Sequence, residues 1–219
     1  MNLYDTAYYN YELPQELIAQ DPLEERSSSR LMVLGRQDGS ITHRHFSDIG
    51  EYLHEGDCLV LNNTRVIPAR LTGHKDTGAA VEVLLLKRIS AERGGLGPNE
   101  GSGASSLCWE CIVRPGKRLQ EGAHITFGDG RLTGRIMEVL PDGNRIIELC
   151  FAGVFEEVLD ALGEMPLPPY ITHRLFDRDR YNTVYARYDG SAAAPTAGLH
   201  FTRELLNAIG AEGVSIAEV

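Results

Sequence analysis

The chain has 219 residues and a formal net charge of −10 at pH 7, with 42% hydrophobic and 24% charged residues. These proportions are ordinary for a globular protein and argue against a mainly disordered, collagenous or coiled-coil chain. No apolar run approaches the ~20 residues of a membrane span, and the N-terminus lacks the basic start and apolar block of a signal peptide. The negative charge argues against nucleic-acid binding driven by overall charge but permits a local basic patch.

The first sixty residues predict an alternation of strands and a short helix. Arg30–Leu34 and Ser40–His45 predict the two strands of a hairpin. Ser47 predicts the N-cap of a helix. Asp57–Leu61 is apolar without alternation, which predicts a strand covered on both faces.

The middle of the chain predicts a small antiparallel barrel, because short strand-like runs follow one another between glycine-containing turns. The predicted strands are Val66–Gly73, Ala80–Lys87, Leu107–Val113, His124–Phe127, Leu132–Leu140 and Arg145–Phe151. The stretch Ile89–Ser106 holds five glycines. We expect it to be a mobile excursion between two barrel strands, with no function assigned.

Helical periodicity returns after the barrel. A helix is predicted from Val154 to a C-terminal cap at Gly163, and a second from an N-cap at Thr202 to Gly210, followed by a strand over Val214–Val219. The predicted fold class is therefore an α/β body, a layered sheet with helices, carrying an inserted antiparallel β-barrel. The expected division is residues 1–65 for the first part of the body, 66–152 for the barrel and 153–219 for the second part of the body.

Cys108 and Cys111 form a CxxC spacing, which occurs in redox and metal sites. The two cysteines also lie within a predicted strand, where positions three apart point to opposite faces. A zinc site would need a second pair or nearby histidines, and none follows. We therefore expect ordinary strand cysteines.

Two polar clusters are candidate sites. The first, Asn62–Arg65, follows a predicted strand, and its amides, hydroxyl and guanidinium could bind hydroxyls and a carboxylate or merely cap a turn. The second, Tyr181–Phe201, has small residues before His200 and a predicted helix, so it either admits a ligand to backbone N–H groups or packs tightly. There is no GxGxxG, Walker, GxSxG or HExxH motif, which disfavours an ordinary nucleotide-binding Rossmann site.

Five blocks resemble the S-adenosylmethionine:tRNA ribosyltransferase-isomerases of queuosine biosynthesis. They are YNYELPQELIAQDP at Tyr9–Pro22, VLNNTRVIPARL at Val60–Leu71, RPGKRL at Arg114–Leu119, GEMPLPPYI at Gly163–Ile171 and GSAAAPTAGLHF at Gly190–Phe201. The blocks occur in the family's order and cover nearly the whole chain, and the family fold agrees with the pattern described above. The family usually has Asp at the position of Asn63 and Gln at that of Asn182. Its members continue beyond the position of Val219, so we expect a truncated member.

The resemblance implies that the ribosyl part of S-adenosylmethionine is transferred and isomerised onto 7-aminomethyl-7-deazaguanine at the tRNA wobble position. The product would be epoxyqueuosine-tRNA, with release of adenine and methionine. S-adenosylmethionine is then a co-substrate, and no metal or redox cofactor is expected. The resemblance also implies a cytoplasmic protein with tRNA as its partner, no DNA or membrane partner, and a monomer as the favoured state. The alternative is a truncated, catalytically inactive chain that retains only tRNA or ligand binding; an ordinary methyltransferase is disfavoured by the missing glycine motif.

Within this resemblance, His200 is the candidate catalytic proton carrier, because His titrates near neutral pH. Arg65 is expected to contact a carboxylate or phosphate, and the tyrosines to stack on adenine or on the target base. The predicted substrate-binding residues are Asn62, Thr64, Arg65, Arg70, Tyr170, Tyr181, Thr183, Tyr185, Ser191, Pro195, Thr196, Gly198 and Phe201. The predicted tRNA-binding residues are Arg114, Lys117, Arg118, Arg174, Arg178 and Arg180, which would otherwise be two solvated faces. We expect Asn62–Arg65 and Ser191–Phe201 to meet in one cleft.

Overall fold

The structure, a computed structural model, describes residues 4–89, 105–173, 175–191 and 193–219, apart from the side chain of Ser191. The interior of the predicted excursion Ile89–Ser106 therefore lies outside the described residues, as does Arg174. The strands are β1 (Arg30–Leu34), β2 (Ile41–His45), β3 (Cys58–Leu61), β4 (Thr64–Val66), β5 (Arg70–Lys75), β6 (Ala80–Ile89), β7 (Ser105–Arg114), β8 (His124–Phe127), β9 (Leu132–Val139), β10 (Arg145–Phe151), β11 (Gly163–Glu164), β12 (Tyr188–Ser191) and β13 (Ser215–Glu218). The α-helices are α1 (Phe155–Leu162) and α2 (Arg203–Ala211).

Six antiparallel strands close into a barrel, which confirms the predicted fold class. Their order is β5–β6–β7–β10–β9–β8, and β8 pairs back onto β5. Gly73 lies opposite Phe127 where the barrel closes. A Cβ atom at Gly73 would lie 2.7 Å from the Phe127 ring and from the Thr126 carbonyl oxygen, so only glycine allows this close approach.

The barrel interior is filled by side chains. Alternate residues point inward, and Leu71, Val83, Phe127, Ile147 and Leu149 are completely buried. The C-terminal end of β10 leads into α1, which packs on this core through Phe155 and Leu159. The barrel is therefore a packed scaffold, and any ligand must bind at its surface.

In the described part of the chain, the body contains three two-stranded ladders, α2 and several short 3-10 helices. β1 pairs antiparallel with β2, whereas β3 pairs parallel with β13 and β4 parallel with β12. A second hydrophobic core, separate from that of the barrel, lies between these ladders and α2, with Phe46, Phe201 and Ile209 among its members. The prediction that β3 is covered on both faces is wrong, because β13 is its one partner among the described strands and Val60 is 59% exposed.

Both predicted α-helices are present. Gly163 is the C-cap of α1, and the Thr202 hydroxyl accepts a hydrogen bond from the Leu205 N–H at the start of α2, as predicted. Gly210 does not end α2: the helix continues to Ala211, and the left-handed residue that follows it is Gly213, with φ of 88°. The helix predicted from an N-cap at Ser47 is a 3-10 helix over Phe46–Tyr52 with His45 as its N-cap, so it begins two residues earlier than predicted. Among the described residues, no helix is both long and apolar enough to cross a membrane.

Candidate functional site

A parallel ladder brings the end of the first predicted site block, Asn62–Arg65, next to the start of the loop Ser191–Phe201. Arg65 in β4 lies opposite Asp189 in β12, and Ser191 lies opposite Val66. The Arg65 Nη2 atom is 2.8 Å from Asp179 Oδ1, and its Nε atom is 3.9 Å from Asp189 Oδ1. The guanidinium that we expected to contact a ligand carboxylate is therefore flanked by two carboxylates of the chain itself.

Arg26 connects this ion pair to the second block. Its Nη2 donates to the Asp179 carbonyl oxygen at 3.2 Å, and its Nη1 donates to that of Leu199 at 3.0 Å. Burial and the neighbouring Arg180 lower the pKa of Arg26, while Asp177 acts in the opposite direction. Sequence reasoning missed Arg26. Its acceptors lie 153 and 173 positions later, so no spacing pattern could have identified it.

His200 ends the 3-10 helix Thr196–His200, whose N-cap is Pro195. The imidazole is half-buried, and its ring centroid is 5.2 Å from that of Phe46. The carbonyl held by Arg26 belongs to the residue directly before His200, so Arg26 fixes the backbone that carries the candidate proton carrier.

Tyr181, Tyr170 and Arg70 lie close enough to interact electrostatically. Burial raises the pKa of Tyr181, and Tyr170 raises it further, whereas a hydrogen bond from the Ala194 backbone and the nearby Arg70 lower it. The phenol is therefore a neutral group near physiological pH. Tyr170 is 55% exposed, so its ring is accessible beside Tyr181.

Four other predicted substrate-binding residues lie in the body interior. Thr183, Tyr185, Gly198 and Phe201 are all buried. A Cβ atom at Gly198 would lie 2.2 Å from the Tyr185 hydroxyl oxygen, so the small residue is needed for packing here. Burial raises the pKa of Tyr185. The Tyr185 ring is packed inside the body and does not present an open stacking face.

The side chains of Asn62 and Asn182 are used within the fold. Asn62 Oδ1 accepts from the backbone N–H of Thr64 at 2.8 Å and from its hydroxyl at 2.6 Å, which makes a capped turn. The buried Asn182 amide accepts from the Val66 N–H at 2.7 Å and donates to the Val66 carbonyl at 3.2 Å. Asn182 thus continues the β4 ladder with its side chain.

Asn63 joins the two parallel ladders of the body. Its backbone N–H donates to the Val219 carbonyl, and its own carbonyl accepts from Arg187 N at 2.7 Å. The side-chain Nδ2 donates to Glu218 Oε2 at 3.1 Å, and Arg187 Nη1 lies 3.3 Å from the same oxygen. An amide is suited to this place because it donates to the carboxylate, which an aspartate would repel.

A cleft of about 940 Å³ lies between the barrel and the body, a volume in the range of small-molecule sites. Arg65, Asp179 and Asp189 line its body side, and Trp109 and Phe155 line its barrel side. Five cationic and five acidic side chains contribute to its wall. His200 and Tyr181 are not among the described residues that line this cleft. The structure therefore connects them to Arg65 through Arg26 and the Tyr181–Phe201 backbone and not through a shared wall.

The predicted tRNA-binding residues fall into two groups. Arg178 donates to the carbonyls of Asp160 at 2.8 Å and Gly163 at 3.1 Å, so it caps the C-terminus of α1, and Arg180 donates to the Leu23 carbonyl. Both guanidinium groups therefore hold the fold together. The other group is exposed at the end of β7 and on the turn that follows it, and consists of Arg114, Lys117 and Arg118.

Among the described residues, no group of three or more His, Cys, Asp or Glu side chains is arranged to hold a metal ion. Cys108 and Cys111 are free thiols, one half-buried and one completely buried in β7. The absence of a cofactor stays a prediction.

The chain belongs to the queuosine biosynthesis protein family, whose sequence profile matches residues 6–219. It is 54% identical over 215 residues to an S-adenosylmethionine:tRNA ribosyltransferase-isomerase of Clostridioides difficile, and 52% identical over 212 residues to one of Acetivibrio thermocellus. These matches include 98% and 96% of this chain but 59% and 58% of the relatives. The chain therefore spans less than two thirds of the length of the curated relatives that it matches.

A solved structure is also similar. The crystal structure of the S-adenosylmethionine tRNA ribosyltransferase from Thermotoga maritima has 34% sequence identity to this chain and a TM-score of 0.36. The match covers 96% of this chain and 56% of the other.

Proposed function

We propose that the chain acts in an S-adenosylmethionine:tRNA ribosyltransferase-isomerase reaction. In this reaction the ribosyl part of S-adenosylmethionine is transferred and isomerised onto 7-aminomethyl-7-deazaguanine at the tRNA wobble position. Adenine and methionine leave, and the product is epoxyqueuosine-tRNA. The observation that carries the proposal is the identity of more than half of all aligned residues to enzymes of that name. A tRNA substrate implies that the chain acts in the cytoplasm.

The cleft beside Arg65 supports this proposal through its mixture of charges. S-adenosylmethionine carries a carboxylate, an ammonium and a sulfonium. Arg65 offers a carboxylate contact, since its Nη1 forms no hydrogen bond to any described residue, whereas its Nη2 is held by Asp179. Asp179 and Asp189 offer the complementary contacts to positive charge. Trp109 and Phe155 of the barrel also line this cleft.

His200 is the proposed proton carrier. The chemistry needs a base for the acidic carbon beside the sulfonium and a proton for the departing adenine, and an imidazole can serve at neutral pH. The half-buried position of His200 next to a turn held by Arg26 keeps its ring in a defined place. His200 does not line the cleft beside Arg65, so its contact with the substrate is itself part of this proposal.

The experiment is an adenine-release assay with S-adenosylmethionine and tRNA that carries 7-aminomethyl-7-deazaguanine. It is run on this chain and on the chain extended by the C-terminal polypeptide of the Clostridioides difficile relative. Adenine release that depends on the modified tRNA supports the proposal. Unmodified tRNA is the matched substrate control.

The outcomes separate the two functions considered for this chain. If only the extended chain releases adenine while this chain binds tRNA, the chain is a binding portion of the enzyme. If neither releases adenine and neither binds S-adenosylmethionine, the proposed function is wrong.

A further inference from the structure

A buried arginine lies at one end of the barrel. Arg145, the first residue of β10, is 5% exposed. Its Nε donates to the Leu119 carbonyl at 2.8 Å, its Nη2 to that of Gly116 at 2.9 Å, and its Nη1 to those of Gly143 and Asn144. No carboxylate among the described residues forms an ion pair with Arg145. Carbonyl dipoles alone therefore compensate a charge that is costly to bury.

The turn that Arg145 holds receives two further side-chain donors. Lys75 Nζ donates to the Arg118 carbonyl at 2.7 Å, and Gln120 Nε2 donates to that of Lys117 at 3.4 Å. Together with Arg145, these residues provide a donor to every carbonyl from position 116 to position 119. The Leu119 side chain is completely buried in the barrel core and anchors the same turn.

The opposite side of this turn faces solvent and is basic. Arg114, Lys117 and Arg118 are all exposed, and Glu121 is the only acidic residue between Arg114 and Ala123. The backbone carbonyls, which would repel an anion, accept hydrogen bonds from the side chains of Arg145, Lys75 and Gln120. Neither the cleft described above nor the barrel interior encloses the turn, so it suits phosphates on the surface of a polymer better than a small anion.

We propose that the turn 114–119 binds the phosphodiester backbone of the RNA substrate and that Arg145 is the positioning residue that holds it for binding. This inference rests on the proposed function. Arg145 contacts no phosphate itself. It acts by fixing the carbonyls of Gly116 and Leu119, and through them the turn that carries Lys117 and Arg118 directly after Arg114.

The test measures the affinity of fluorescently labelled tRNA as a function of KCl concentration. Each cation–phosphate contact contributes about 0.7–0.9 to the slope of log K against log salt. The triple variant Arg114→Ala, Lys117→Ala, Arg118→Ala should lower this slope by about 2–3. Arg145→Met should lower the slope by at least half as much as the triple variant does, even though it removes only one charge and that charge is buried. Arg131→Met is the matched control: this exposed barrel arginine is paired with Asp129, and its loss should leave the slope unchanged.

Folding is monitored separately from binding. Trp109, the single tryptophan of the chain, lies in β7, so its fluorescence reports whether the barrel of each variant is intact. If Arg145→Met does not fold, Arg145→Lys and Lys75→Met decide the question. Arg145→Lys keeps the charge, but one ammonium cannot span the carbonyls of Gly116 and Leu119 as a planar fork does. Both variants should lower the slope by about 1. A purely structural role would lower the melting temperature and leave the slope unchanged.

Two results overturn the inference. One is a folded Arg145→Met variant whose salt dependence of tRNA binding has the wild-type slope. If Arg145→Met does not fold, the same result for Lys75→Met overturns the inference. The other is a triple variant that binds tRNA with the wild-type slope. If that triple variant still releases adenine, the proposed function stands without this site. Failure of both this chain and its extended form to bind tRNA at any salt concentration overturns the inference, whereas the proposed function is decided by adenine release and S-adenosylmethionine binding.

Discussion

Asn182 contributes to stability through two hydrogen bonds to one buried backbone unit. Asn182→Ala leaves both the N–H and the carbonyl of Val66 without their partner. Each buried polar group that loses its partner costs about 1–3 kcal/mol, so we expect the free energy of unfolding to fall by at least that amount. Urea denaturation followed by circular dichroism measures the change.

Asn207→Ala is the matched control for this prediction. Asn207 is exposed in the middle of α2, where alanine is the better helix former. We expect no loss of stability there. Equal stability of the Asn182→Ala and wild-type chains would show that the amide does not support β4.

Arg65 and His200 should affect different quantities. Arg65→Ala removes a charge-assisted hydrogen bond, which is worth roughly 1.5–3 kcal/mol. Because the Arg65 side chain is 46% exposed, we expect the lower end of this range, about 10-fold weaker binding of S-adenosylmethionine in calorimetry. Arg36→Ala, on the exposed turn of the β1–β2 hairpin, is the control and should not change the affinity.

His200→Ala should lower turnover more than affinity, because a proton carrier acts in the reaction and not in binding. The comparison requires the chain, or its extended form, that releases adenine. An affinity loss as large as the turnover loss would assign His200 to binding.

The candidate site could be predicted only in part at the residue scale. Sequence blocks identified Arg65 and the loop before His200, because both carry unusual local composition. The sequence blocks could not reveal that Asp179 forms an ion pair with the Arg65 guanidinium, or that Arg26 joins the two blocks. These contacts connect residues that are more than 100 positions apart. Tyr185 also illustrates the limit, since an aromatic residue in a motif has the same sequence whether it faces a ligand or a core.

Gly163 is the point where α1 meets the barrel. It is the C-cap of α1 and lies opposite Leu71 in the ladder of β11 and β5. A Cβ atom there would lie 2.0 Å from the Pro68 carbonyl oxygen. The contact is with the backbone of Pro68, which cannot move aside as a flexible side chain could. Gly163→Ala should therefore destabilise the chain by about 1–3 kcal/mol, the usual range for overpacking.

The control for Gly163→Ala is Gly50→Ala. The nearest atom to a Cβ at Gly50 is Ile209 Cγ1 at 3.9 Å, an ordinary contact. Thermal unfolding should show a lower midpoint for Gly163→Ala alone. Similar midpoints for both variants would mean that α1 can move away from Pro68 without loss.

The thiols of β7 should behave as buried structural groups. Burial raises the pKa of Cys111 well above its usual value, with Glu110 as a second cause, and burial also raises the pKa of Cys108. Because the thiolate is the reactive form, we expect Cys111 to resist Ellman's reagent at pH 8 until the barrel unfolds, while the exposed Cys58 reacts first. Cys58→Ser should remove the fast phase. A disulfide between Cys108 and Cys111 in the native chain would contradict this prediction.

Elements were predicted best where strand alternation and turn residues agree. β8 and β10 have the predicted bounds, His124–Phe127 and Arg145–Phe151, because each alternates and each is bounded by turn signals. The error at β3 has a different cause. An apolar run shows that a strand is compatible with burial, but the number of neighbouring strands depends on pairings made elsewhere in the chain.

At the scale of the whole molecule, the described residues form two hydrophobic cores of unequal size. Of the described residues, eighteen are buried in the barrel core and seven in the body core. The barrel strands also form one closed network of hydrogen bonds, whereas the body ladders have two strands each. Local stability follows buried apolar contacts and protected hydrogen bonds, so the two parts should not open together.

We therefore expect native-state hydrogen exchange to proceed in two stages. Amides of β5–β10 should exchange slowest, and those of β1–β2 and β3–β13 should exchange earlier, as measured by mass spectrometry of peptic fragments. Ile209 and Ile147 provide a matched pair because both are buried, one in each core. Ile209→Ala should accelerate exchange in the body while leaving the barrel protected, and Ile147→Ala should accelerate exchange in the barrel. Each substitution should lower the free energy of opening of its own part by about 2–5 kcal/mol. Equal protection of both parts, or acceleration of the barrel by Ile209→Ala as strong as that of the body, would show that the two cores unfold as one cooperative unit.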